Sequence, residues 1–243
     1  MRRPTLLFLP GLLCDGALWR HQAEALADVA ECRVADLAQD GTVEAMARRA
    51  LAGTQGQLSV CGLSMGGYVA MAIMRIAPER VERLCLMDTG ARADTPERVQ
   101  VRRGLMALAR SGKFKALAPL LLPQLLHPER LGDAVLADEV LAMAERVGRD
   151  AFLRQQEAIM ARPDSRPGLA RVAVPTLVAV GAGDQLTPPD LAREMADLIS
   201  SSRLVVLDGA GHLPPMETPG AVSALLREWL TRASNIGGVE EAP

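Results

Sequence analysis

An excess of charge of either sign is what this 243-residue chain lacks first: 27 Lys and Arg stand against 29 Asp and Glu, a formal net charge of -2. A protein that binds nucleic-acid backbone normally carries a clustered basic excess, so nucleic acid is excluded as the expected partner. Cysteine is sparse as well. Cys14, Cys32, Cys61 and Cys85 contain no C-x-x-C pair, which argues against a zinc site or a redox motif. Cys61 and Cys85 sit in apolar runs and read as buried thiols, and a reducing, cytoplasmic compartment fits them. No apolar run reaches the roughly 18 residues that a membrane span needs. Arg2-Arg3 followed by TLLFLPGLL has the outline of a secretion signal, but Pro10-Gly11 interrupts it and no small-x-small cleavage site follows. Histidine occurs only three times, so each one can be weighed separately for chemistry.

What is present is an alternation. Short aliphatic runs at 5–9, 31–36, 58–62, 83–88, 175–181 and 203–208 are separated by segments of helical period at about 16–29, 42–53, 65–77, 188–199 and 219–232. This is the pattern of a mainly parallel α/β sheet with crossover helices on both faces. The alternation fails between Asp88 and Val174, where only helical patterning is found, over 97–111, 113–122, 131–147 and 150–161. The expected organisation is therefore one core formed by 1–91 and 166–243, with a helical insertion over 92–165 that returns to the same sheet. The terminal NIGGVEEAP reads as a frayed tail.

The sharpest local motif is Gly62-Leu63-Ser64-Met65-Gly66-Gly67, directly after LSVCG and directly before YVAMAIMRI. As five letters, G-x-S-x-G is common. Between a strand and a helix it acquires a physical meaning: a serine on so sharp a turn is strained, and its neighbours two before and two after cannot carry side chains. The new helix also aims its first amides at the reacting group. A serine hydroxyl needs a base, and the base needs an orienting group. His212, in the loop DGAGHLPP after the last strand, is the candidate base; His21 and His127 read as structural or solvated. Asp184, after the strand PTLVAVG, is the expected orienting carboxylate. Asp88 at the end of RLCLMD is its main rival, and Asp208 a weaker one. Acyl transfer further needs oxyanion donors. The backbone amides of Met65 and of Leu12, after Pro10-Gly11, are the candidates.

Together these motifs resemble the α/β-hydrolase superfamily, in its chain order of nucleophile, acid and histidine. The resemblance covers about 4–232 and looks closest to the small cofactor-independent esterases and lactonases with a helical cap. It implies an α/β-hydrolase fold with a sheet of about six strands, because the two strands that often precede 5–9 are missing. It also implies Ser64, Asp184 and His212 as a triad, Leu12 and Met65 as oxyanion-hole amides, no metal or organic cofactor, and a small-molecule ester substrate, with a thioester or lactone as variants. Carbon-carbon bond hydrolysis or elimination by the same triad, and a non-enzymatic binding protein on the same scaffold, are the alternatives. A homodimer is left open. Pro10-Gly11 departs from the His-Gly of many relatives. A serine rather than an aspartate at 64 separates the chain from the dehalogenase and epoxide-hydrolase branches. Leu- and Met-rich faces of the insertion suggest an apolar acyl pocket. Arg102, Arg103, Arg149 and Arg154 offer charge for an acidic substrate or an acyl carrier, although each one singly reads as a solvated helix charge.

Overall fold

Six strands form as the aliphatic runs require, and all of them are parallel: β1 (Thr5–Leu9), β2 (Glu31–Val34), β3 (Leu58–Leu63), β4 (Val81–Met87), β5 (Thr176–Gly181) and β6 (Ser202–Leu207), in the spatial order β2-β1-β3-β4-β5-β6. The computed structural model describes residues 3–232, so the tail expected at NIGGVEEAP lies outside the described residues. Alternate side chains of each central strand enter opposite cores. Leu7, Leu9, Leu84, Leu86, Val178 and Val180 go to one. Leu6, Phe8, Cys85, Met87, Leu177 and Ala179 go to the other. Burial on both faces explains why these strands read as continuous apolar runs. The edge strand β2 stops at Val34 rather than at 36, because the Asp36 side chain turns the chain by accepting the Ala38 N–H at 2.9 Å.

The helices are α1 (Arg20–Ala25), α2 (Val43–Ala52), α3 (Met65–Ile76), α4 (Pro96–Leu108), α5 (Leu117–Leu125), α6 (Ala134–Ala161), α7 (Arg166–Leu169), α8 (Pro189–Leu198), α9 (Pro214–Glu217) and α10 (Pro219–Thr231). Residues of α2, α3 and α8 line the first core and residues of α9 and α10 the second. No helix among the described residues is long and apolar enough to cross a membrane. The segment expected as one helix over 16–29 is shorter: a 3-10 turn at Gly16–Trp19 leads into α1.

Between β4 and β5 the chain is helical, as expected, with two local differences. The helix expected over 113–122 begins only at Leu117 and runs through Pro123, because Gly112 at φ 85° breaks the chain before it. Pro123 and Pro119 are both exposed, so the turn that loses the Pro123 hydrogen bond lies on a solvent-exposed part of α5. The expected separation of 131–147 from 150–161 appears as a non-helical Gly148 (φ 80°, ψ 169°) within α6. A third core of Leu13, Ala109, Leu117, Ala144 and Phe152 joins the insertion to the loop after β1.

Candidate functional site

Strand order locates the site before any side chain does. The chain moves outward from β1 to β2, then crosses back to β3 on the other side of β1. A parallel sheet opens a crevice at the carboxyl ends of its strands where the order reverses in this way. Ser64 follows β3 at that point with φ 54° and ψ -114°. The strain is held by close backbone crossings: a Cβ on Gly62 would fall on the Gly66 carbonyl, and a Cβ on Gly66 on the Leu9 carbonyl. Ser64 N–H donates to the Met87 carbonyl at 3.0 Å, and its own carbonyl accepts from Thr89 Oγ1 at 2.8 Å. The serine is thus fixed by β4 as well as by its own turn.

The loops after β5 and β6 meet beside it. His212 Nδ1 lies 2.8 Å from Asp184 Oδ2, and both residues are buried. A carboxylate only accepts, so Nδ1 carries the proton of this bond and Nε2 is left as the free ring nitrogen. Asp184 also accepts from Thr187 Oγ1 (2.6 Å), Thr187 N–H (3.0 Å) and Leu186 N–H (2.8 Å). Burial pushes its pKa up, but the His212 charge and the hydrogen bonds from His212 and Thr187 outweigh that and hold it well below the usual carboxylate range. The His212 loop is held by another buried carboxylate, Glu217. Its Oε1 accepts from Gly211 N–H (2.9 Å) and Leu213 N–H (3.0 Å), and its Oε2 accepts from His127 N–H (2.6 Å).

Asp88 occupies the remaining corner. It is fully buried with φ 44°, and its Oδ1 accepts the Gly181 N–H at 2.8 Å while its Oδ2 has no partner. One atom each of Asp88, Asp184 and His212 lie within 4.8 Å of one another. Burial, then the charge of Asp184, push the Asp88 carboxyl far above its ordinary value. Asp208, the weaker rival, is exposed at the far side of its turn. His127 caps a turn, its Nδ1 accepting the Glu129 N–H at 3.3 Å.

On the other side of Ser64, the loop after β1 is shaped by a residue of the insertion. Leu13 stands at φ 60°, and its N–H donates to Gln155 Oε1 at 3.1 Å; Gln155 Nε2 donates to the Leu37 carbonyl at 3.3 Å. Gln155 is 1% exposed, so this amide fastens two loops together inside the protein. Leu12 precedes the strained residue and faces the cavity, whereas Met65 begins α3 behind Ser64.

Ser64, His212 and Leu12 line one cavity of about 420 Å³ together with Leu105, Leu121 and Ile159 from the helices between β4 and β5. No hydrogen bond joins Ser64 Oγ to the imidazole; the two side chains share the cavity. The apolar character of the pocket agrees with the sequence, but the methionines do not contribute: Met106 and Met143 are buried in the packing. Of the four arginines singled out, Arg102 reaches the cavity. Arg149 pairs with Asp150, and Arg154 donates to the Ala38 carbonyl. Thr187, Thr89, Gln155 and Glu217 were not foreseen. Glu217 carried a signal, as a lone acid in the Pro-bounded turn LPPMETP; the others act through contacts that no local pattern announces.

A parallel sheet with its strained serine at the order reversal, and a histidine–carboxylate pair delivered by the last two strands, define an α/β hydrolase. The chain belongs to the alpha/beta hydrolase family, whose model matches residues 6–225. It is 31% identical over 205 residues to a pimeloyl-[acyl-carrier protein] methyl ester esterase of Neisseria meningitidis serogroup C, a match covering 81% of this chain and 78% of the relative. Among solved structures it is similar to a thermophilic esterase from Thermogutta terrifontis, bound to malate (TM-score 0.87, 32% identity, 94% of this chain and 90% of the other). It is also similar to the enol-lactonase from Burkholderia xenovorans LB400 (TM-score 0.86, 27% identity, 96% and 93%).

Proposed function

We propose that the chain is a carboxylic ester hydrolase that works through an acyl-enzyme on Ser64. The observation that carries this reading is the strained Ser64 sharing one cavity with His212, whose Nδ1 is bound at 2.8 Å to the buried Asp184. In this reading His212 Nε2 takes the Ser64 proton as Oγ attacks the ester carbonyl. Asp184, kept ionised by its hydrogen bonds, stabilises the imidazolium that results. The amide of Met65, at the start of α3 where helix N–H groups lack intrahelical acceptors, and the amide of Leu12 receive the oxyanion. His212 then returns its proton to the leaving alkoxide, and water attacks the acyl-enzyme by the same route in reverse roles.

The insertion serves as a cap, which excludes water and shapes an apolar acyl or alkyl pocket. The activities of the relatives, a methyl ester esterase and an enol-lactonase, support an ester or lactone carbonyl as the reacting group. The four free cysteines support a reducing, cytoplasmic setting. Stopped-flow hydrolysis of p-nitrophenyl butyrate tests the reading. The expected result is a burst of p-nitrophenol of one equivalent or less, followed by slower turnover. In Ser64→Ala the burst disappears and kcat drops by about 10⁴–10⁶. Unchanged turnover in that variant would remove Ser64 from the chemistry.

A further inference from the structure

The cavity wall built by α4 and α6 is not apolar throughout. Arg102 lines it with its guanidinium tied on two sides: Nε donates to Asp94 Oδ2 at 2.6 Å and Nη1 to Gln156 Oε1 at 2.9 Å. Arginine has only donors, so the Gln156 atom that faces it is the carbonyl oxygen, and the amide nitrogen is fixed on the opposite side of the group. That Nε2 is buried and has no acceptor, although Gln156 lines the cavity. Unpaired buried donors are rare in folded proteins because nothing repays their desolvation; an acceptor arriving in the cavity would.

Charge on the same wall has the matching sign. Asp94 is shared between Arg102 and Arg162, which stands 2.9 Å from its Oδ1. The Arg162 guanidinium lies 4.0 Å over the ring of Tyr68, which lines the cavity one helical turn beyond Ser64. Glu97 and Arg98 face the cavity from α4 as well. Three guanidinium groups therefore meet two carboxylates, and one positive charge is in excess. The ties to Asp94 and Gln156 also fix the Arg102 fork, so little side-chain freedom is lost when it receives a ligand.

We infer that Arg102 and Gln156 form a subsite for a carboxylate at the end of the substrate remote from the reacting carbonyl, so that the favoured substrates are esters whose apolar chain ends in an acid. The carboxylate accepts from Gln156 Nε2 and from Arg102, while Leu105, Leu121 and Ile159 cover the chain and the ester lies at Ser64. The inference rests on the ester-hydrolase reading and is tested apart from it, by binding without turnover. Titration calorimetry of the Ser64→Ala protein with monomethyl adipate and with methyl hexanoate compares a terminal carboxylate with a terminal methyl. The expected result is tighter binding of monomethyl adipate by about tenfold or more, as hydrogen bonds to a charged group supply. That preference is lost when Gln156→Leu is added and reversed when Gln156→Glu is added; the second keeps an acceptor for Arg102 and so preserves the fold. Equal binding of the two esters, or a preference unaltered in both double variants, overturns the subsite. Failure of the wild type to hydrolyse either ester would instead count against the hydrolase reading.

Discussion

Two carboxyl groups lie side by side under His212, and their surroundings shift their acidities in opposite directions. Asp184 accepts four hydrogen bonds, one from the imidazole; Asp88 accepts one, and its second oxygen is buried with no partner. Asp184→Asn therefore reverses the donor pattern that fixes the His212 tautomer, and kcat for ester hydrolysis is expected to fall by about 10⁴. Asp88→Asn keeps the acceptor for Gly181 N–H and replaces the unpaired Oδ2 with an amide nitrogen, so kcat falls far less. Their effects on stability also differ in sign. The depressed pKa of Asp184 contributes stability that is present above the unfolded value near 3.9 and is lost as pH falls through the folded one. The raised pKa of Asp88 contributes stability that is present below that unfolded value and is lost as pH rises through the folded one. Melting curves from pH 4 to 8 are thus expected to show Asp88→Asn gaining Tm over the wild type as pH increases; a constant difference would contradict a raised Asp88 pKa. The sequence placed both acids at strand ends and ranked Asp184 first. What separates them, the hydrogen bonds each accepts, depends on Thr187 and on the crossing of the strand-end loops, which chain order alone does not contain.

At the level of elements, the loop after β1 depends on α6. Gln155→Leu would leave the Leu13 N–H and the Leu37 carbonyl unpaired inside the protein, at about 1–3 kcal/mol for each group. The Leu12 amide would lose its fixed orientation, and a loss of about 10²-fold in kcat is expected, with KM changed little, if that amide holds the oxyanion; a loss in KM alone would assign Gln155 to substrate binding instead. Glycines give a second element-scale test. A Cβ at Gly66 meets the backbone of Leu9 and Pro10, which cannot move aside, whereas Gly220 in α10 has nothing within 4 Å of that position. Thermal unfolding should show Gly66→Ala losing about 1–3 kcal/mol or more and Gly220→Ala neutral or slightly stabilised. The sequence predicted the strands and the core helices to within a few residues, because apolar period acts locally. It misplaced α5, since the helix expected over 113–122 begins at Leu117 and continues through the exposed Pro123 to Leu125.

For the whole molecule, a sheet that reverses order between β1 and β3 brings four strand-end loops to one crevice, and helices between β4 and β5 line it as well. The fold class was legible because both faces of the sheet are buried, which writes the strands as aliphatic runs. That lining was legible only as helical and apolar; that it carries Arg102 and the unpaired amide of Gln156 follows from packing across α4 and α6. In the proposed reading, this architecture activates Ser64 as a nucleophile. Labelling of the intact protein with a fluorophosphonate, read by peptide mass spectrometry, tests it most directly. A single adduct is predicted on Ser64, absent in Ser64→Ala and strongly slowed in His212→Ala. A folded wild-type protein that takes up no label, or takes it up equally after Ser64→Ala, would contradict it.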